Sequence, residues 1–137
     1  MIDALRWLLP MLTAWHVSGH PDAAALAAAA NEFQVPPTVM WAVAYEETRH
    51  STRNTEVSRT GALGRMQIMP SFWRARCGAL YGRRHYLNNI RCGALVLRAY
   101  LNICDESVEC AAWHYVGGDS SYARRVREHA WLYEAQR

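Results

Sequence analysis

The stretch Thr38-Val39-Met40-Trp41-Ala42-Val43-Ala44-Tyr45-Glu46-Glu47-Thr48 is apolar from Val39 to Tyr45 and then ends in two adjacent carboxylates. As a helix it has no polar face, so it belongs inside a domain with other elements around it. Thr38 is placed to cap it, and Pro36-Pro37 stops whatever precedes it. At its C-terminal end Glu46 and Glu47 point about 100° apart, so the two cannot share one task.

Working outward, the chain reads as helices separated by clear breakers. Ser18-Gly19-His20-Pro21-Asp22 is a turn, with Asp22 placed to cap a helix through the alanines to Phe33. Beyond the buried helix comes a polar connection, Thr48 to Thr60, with Val57 its only aliphatic residue. A connection that long in a small domain is usually the wall of a cleft or a binding loop. Ser71 can cap a short helix to Cys77, and Asn88 can begin a longer one in which Ile90, Ala94, Leu97 and Leu101 share a face. Asp105 can cap a helix ended by Gly117-Gly118. The last helix puts Tyr122, Val126, His129, Ala130 and Tyr133 on one side. No repeat and no strand alternation of any length occurs, so the fold is expected to be mainly α, one domain over residues 1–137. Residues 1–20 are expected to form an N-terminal helix; Trp7 to Val17 is apolar enough for a weak signal or anchor, but Asp3, a single Arg6 and Pro10 favour the ordinary helix.

Composition narrows the function classes. The chain of 137 residues is 51% hydrophobic and 20% charged, which argues against disorder, and no apolar run approaches the roughly 20 residues of a membrane span. All 15 basic residues are arginine and they are spread along the chain, unlike the clustered basic face of a nucleic-acid binder. Arg83-Arg84 and Arg124-Arg125 read as solvated helix positions, and no nucleic-acid partner is expected. Cys77, Cys92, Cys104 and Cys110 lack the spacing of a zinc knuckle, so neither a metal nor a cofactor is expected. Their order suggests the disulfides Cys77–Cys92 and Cys104–Cys110, among three possible connectivities. Buried free thiols are the other reading.

The glutamate pair is the chemical signal. A carboxylate at the end of an apolar helix is driven toward its protonated form by desolvation, by its charged neighbour and by the negative end of the helix dipole. Such a group can act as a general acid near neutral pH. The bland alternative is a solvated pair of helix-end glutamates.

The order of features around the pair decides between these. Ala42-Val43-Ala44-Tyr45-Glu46-Glu47-Thr48, the polar loop, and then Gly61-Ala62-Leu63-Gly64-Arg65-Met66-Gln67-Ile68-Met69-Pro70 closely resemble the soluble lytic transglycosylases, relatives of goose-type lysozyme. That family carries a buried helix ending in Glu-Ser, a loop, and Gly-Ala-x-Gly-Leu-Met-Gln-Ile-Met-Pro. Asn89-Ile90 with Gly93-Ala94, Tyr115-Val116-Gly117-Gly118 and Tyr122-Ala123-Arg124-Arg125-Val126 are also similar to family elements, and the resemblance covers roughly residues 24 to 126.

The resemblance implies a lysozyme-like fold with a polar cleft loop after the catalytic helix. It implies cleavage of the β-1,4 bond between N-acetylmuramic acid and N-acetylglucosamine in peptidoglycan glycan strands, closing a 1,6-anhydro ring. Residue by residue, Glu47 matches the catalytic acid and Thr48 the serine after it, leaving Glu46 a bystander. Met66 and Gln67 match the pair lining the sugar cleft, although for Met66 core packing is an equal expectation. Tyr115 matches the tyrosine of Tyr-Asn-x-Gly, with Val116 in place of the asparagine; in another register His114 and Tyr115 match the tyrosine and the asparagine. Arg65 stands where the family has leucine. Trp113 and Tyr122 are the aromatics closest in sequence to this site. A hydrolase on the same fold usually needs a second carboxylate, for which the loop offers only Glu56, or substrate assistance in its place. A non-catalytic wall-binding or virion structural protein is the third class. The implied setting is extracytoplasmic, in the periplasm or cell wall, or in a phage virion; an enzyme of this kind serves as a phage lysin, a virion component or part of a secretion or conjugation apparatus.

Overall fold

Prolines open two of the described helices, at Pro37 and Pro70. A computed structural model describes residues 23–48, 57–59, 61–81 and 86–135. The expected N-terminal helix, the Asp22 cap, Glu56 and Arg83-Arg84 lie outside the described residues, as does most of the polar loop. Six α-helices occur among the described residues: α1 (Ala23–Phe33), α2 (Pro37–Thr48), α3 (Pro70–Cys77), α4 (Tyr86–Ile103), α5 (Val108–Tyr115) and α6 (Ser120–Ala135). The 3₁₀ turn Gly78–Tyr81 follows α3. Extended pairing among the described residues is limited to the isolated bridges Val57 with Leu63 and Leu63 with Ile68.

Four helix starts differ from the sequence expectation, three of them for a clear local reason. α2 begins at Pro37 rather than after a Thr38 cap, because the Pro36 carbonyl accepts from the amides of Val39 and Met40 at 3.0 and 3.3 Å. Proline needs no amide partner in a first turn, so Pro37 is pre-shaped to start the helix. By the same logic Pro70, not Ser71, opens α3. For α5 the cap is Ser107 rather than Asp105. Asp105 and Glu106 take left-handed φ values of 51° and 67° to turn the chain out of α4, and the Ser107 hydroxyl then accepts from the Cys110 amide at 3.3 Å. Tyr86 opens α4 ahead of Asn88.

The buried helix is α2. Every residue from Val39 to Ala44 is buried, and its main partner is α6, which also covers α5; α4 joins α5 to α1. The α4 face expected from periodicity is the one that faces inward: Ile90, Ala94, Leu97 and Leu101 are each at most 1% exposed. Burying side chains of this size contributes about 1.5–3 kcal/mol each for the larger ones. Two disulfides fasten this frame. Cys77–Cys92 ties the end of α3 to α4, and Cys104–Cys110 ties the end of α4 to α5. No helix among the described residues is long and apolar enough to cross a membrane.

Candidate active site

The α2–α6 contact separates the two carboxylates. Glu47 Oε1 accepts from the Tyr122 hydroxyl at 2.8 Å, across 75 residues of sequence. Glu46, turned round the helix, accepts from Arg125 Nε at 3.0 Å and has His129 Nδ1 at 3.5 Å; its side chain is 1% exposed. The solvated pair is therefore not what forms. One carboxylate is ion-paired inside a helix–helix contact, and the other has a neutral hydroxyl partner.

That difference sets the chemistry of Glu47. Burial pushes its carboxyl up, and the nearby Glu46 charge pushes the same way. The Tyr122 hydrogen bond opposes both, and the outcome is a pKa of about 7. A carboxyl at about 7 holds a proton near neutral pH and can give it up and take it back. Tyr122 is buried at 4% exposure, and burial next to Glu47 drives its own ionisation well above the usual phenol value, so it stays a hydroxyl and donates. Tyr115 is driven the same way by burial, then by the charge of Glu47, and belongs to the same cluster.

Opposite this cluster stands the turn Gly61–Pro70. Leu63 and Ile68 exchange backbone hydrogen bonds at 2.8 and 2.9 Å, which brings Gly64 to Gln67 into a tight loop. Gly64 has φ +72°, and a Cβ there would lie 2.6 Å from Asn89, so only glycine fits. Asn89, fully buried on α4, clamps the loop by accepting from the Met66 amide at 2.9 Å and donating to the Leu63 carbonyl at 2.8 Å. The Met66 side chain is 0% exposed and fills the space over Gly93, where a Cβ would come within 2.6 Å of it. What Met66 offers the site is its carbonyl, which accepts from the Tyr115 hydroxyl at 2.7 Å. Gln67 is held at φ +51°, and its amide nitrogen donates to the Gly64 carbonyl at 2.8 Å.

The sequence candidates are thus brought together unequally. Glu47 and Tyr115 share one cluster, and the Tyr115–Met66 bond joins it to the loop of Met66 and Gln67. Thr48 closes α2, but its side chain lies outside the described part, as does Glu56. Arg65, in the place of the family's leucine, is buried at 4% exposure. Trp113 is 42% exposed and lies against His114 and Gly118 rather than beside Glu47. Two roles were missed from sequence: Tyr122, expected only as an aromatic near the site that could touch sugar, is the partner of Glu47, and Asn89 is the clamp. Both stand in blocks with family resemblance, which was the signal available. Among the described residues the one grouping with metal-like spacing is Cys104, Cys110 and His114, and both of its sulfurs are spent in a disulfide, so it does not fit an ion.

No curated protein and no solved structure matches the chain. The family model described as the transglycosylase SLT domain matches residues 24–136. That span takes in the six described helices save Ala23, the Glu47 cluster and the loop clamped by Asn89, and its fold is mainly α and lysozyme-like. On that match the chain belongs to the SLT transglycosylase domain family, whose activity is of the transglycosylase type directed at peptidoglycan.

Proposed function

We propose that this protein is a lytic transglycosylase that cleaves the bond between N-acetylmuramic acid and N-acetylglucosamine, with Glu47 as acid and then base. The observation that carries the reading is the contrast within one dipeptide: Glu46 is tied to Arg125, while Glu47 is desolvated, bonded to Tyr122 and raised to about 7. Glu47 in its protonated form gives its proton to the glycosidic oxygen as the C1–O bond breaks, and the N-acetylglucosamine end departs as an alcohol. The resulting carboxylate takes the proton of the muramoyl 6-hydroxyl, whose oxygen closes on C1. Glu47 is regenerated and no water is consumed. Tyr122 holds the carboxyl in place through both steps, and Tyr115 fixes the loop that carries Gln67. Gln67 can donate and accept at once, as a sugar acetamide requires.

A hydrolase without substrate assistance usually needs a second carboxylate about 5–5.5 Å or about 6.5–9.5 Å from the acid. Among the described residues the carboxylate beside Glu47 is Glu46, and its pairing with Arg125 leaves it poorly placed to activate water. The disulfides support work outside the cytoplasm, where the wall is and where such bonds persist.

The test is a pair of variants. Glu47→Gln should nearly abolish release of soluble fragments from purified walls, because the amide keeps the shape but has no proton to deliver. Glu46→Gln should retain much of it. Equal losses in the two, or loss in Glu46→Gln alone, would remove Glu47 from the role.

A further inference from the structure

The last turn of α2 meets α6 residue by residue. Tyr122, Arg125 and His129 recur at helical spacing along α6 and reach α2 together. Tyr122 donates to Glu47 Oε1, and Arg125 Nε donates to Glu46 Oε2 at 3.0 Å. His129 has its Nδ1 3.5 Å from the other Glu46 oxygen and stands edge-on to the Tyr45 ring at 5.2 Å. Glu46 is enclosed by these contacts, its side chain 1% exposed, whereas the Arg125 side chain is 46% exposed. The carboxylate lies inside, and its cation reaches in from the surface.

Two adjacent desolvated carboxylates repel each other, and without a counter-ion they hold one proton jointly and release it in a step that belongs to the pair. A general acid needs that proton on one defined oxygen, within reach of the bond to be cleaved. The groups around the pair differ in what they contribute. Tyr122 and Tyr115 are buried hydroxyls whose ionisation is driven well up, so they bring no charge. His129 is cationic only when protonated. Asp119, at the start of α6, acts on Arg125. Arg125 is cationic at every pH the protein meets, and it is bonded to Glu46 rather than to Glu47. It balances the Glu46 charge inside the contact, and that charge in turn pushes Glu47 toward its protonated form.

Resting on the reading of Glu47 as acid and then base, we propose that Arg125 is a positioning residue: it fixes the negative charge of the dipeptide on Glu46, so that the proton used in cleavage resides on Glu47. Glu46 then matters to the chemistry only when its cation is missing. Loss of Glu46 alone is mild, loss of Arg125 alone is damaging, and loss of both is mild again.

The test follows the Glu46 and Glu47 carboxyl carbons by NMR in ¹³C-glutamate-labelled protein between pH 5 and 9, beside the pH–rate profile of wall cleavage. In the wild type the Glu47 carbon should titrate at about 7 while the Glu46 carbon stays still. In Arg125→Gln both carbons should report one transition, moved upward by about one pH unit, and the maximal rate should fall at least about twofold, because even an equal share leaves Glu47 without the proton half of the time. Arg125→Lys, which keeps the charge, should titrate as the wild type does. In Glu46→Gln the Glu47 transition should fall below that of the wild type, since the push from its neighbour is gone. Adding Arg125→Gln to Glu46→Gln should leave that transition and the rate where they are. Should Arg125→Gln fail to fold, the double variant must fold and titrate as Glu46→Gln does. A Glu47 transition unmoved in Arg125→Gln, an equal shift in the Glu46→Gln background, or a double variant that is not rescued would overturn the proposal. The NMR titration needs no turnover, so the two readings fail separately: the expected titrations without cleavage remove the transglycosylase chemistry, and cleavage with a titration indifferent to Arg125 removes only its positioning role.

Discussion

Replacing Glu47 by glutamine should make the protein more stable, and only above the acid range. In the unfolded chain a glutamate titrates near 4.5, and in the fold Glu47 titrates at about 7 because burial, helped by Glu46, disfavours its charge. The folded state therefore binds this proton more tightly than the unfolded state does. Below about pH 4.5 both states are protonated and the site costs nothing. Between 4.5 and 7 the unfolded state ionises first and the cost grows. Above about 7 both are ionised and the cost is complete, about 3 kcal/mol at about 1.4 kcal/mol per pKa unit. Glutamine removes the charge, and its carbonyl can still accept from Tyr122 at the place where Oε1 does so at 2.8 Å. Guanidinium unfolding of wild type and Glu47→Gln at pH 4, 6 and 8.5 should give curves that coincide at the lowest pH. At pH 8.5 the variant should be more stable by about 2–3 kcal/mol, the lower figure allowing for the desolvation of the amide. A stability difference that does not change with pH, or a variant that is weaker at pH 8.5, would mean that Glu47 is not the strained carboxyl described above.

Tyr122→Phe removes the one hydrogen bond that holds the Glu47 pKa down, so the alkaline limb of the pH–rate profile should move upward while the maximal rate falls about tenfold or more through lost positioning; an unchanged profile contradicts the pairing. Asn89→Ala leaves the buried Met66 amide without its partner, while the Leu63 carbonyl keeps the Ile68 amide, and should lower denaturant stability by about 1–3 kcal/mol. Denatured, unreduced protein from an oxidising compartment should titrate with no free thiol. Loss of Cys77–Cys92, which spans 15 residues, should then cost about 3 kcal/mol by denaturant unfolding.

Periodicity carried most of the fold, because burial repeats along a helix and sequence repeats with it. The all-apolar run of α2 and the Ile90, Ala94, Leu97, Leu101 face of α4 are both buried as their spacing requires. The helix starts were less legible. Thr38, Ser71 and Asp105 are good caps in isolation, yet Pro37, Pro70 and the left-handed Asp105–Glu106 pair moved the boundaries by a few residues. In the site, the position of Glu47 at a helix end is local and could be read. The state of Glu46 could not, since its partner Arg125 lies 79 residues away and Arg124-Arg125 looks like any solvated pair on a surface helix. Tyr122 and Asn89 were hidden for the same reason: their roles exist only once α6 crosses α2 and α4 underlies the Gly61–Pro70 turn.

Mass spectrometry of the fragments released from purified peptidoglycan tests the central claim most directly. Glu47 acting as acid and then as base on the 6-hydroxyl predicts muropeptides ending in 1,6-anhydro-N-acetylmuramic acid, one water lighter than a reducing end and resistant to borohydride. These products should be absent with Glu47→Gln. Fragments with reducible ends, carrying solvent ¹⁸O when the digestion is run in labelled water, would contradict the account and assign the chemistry to a hydrolase.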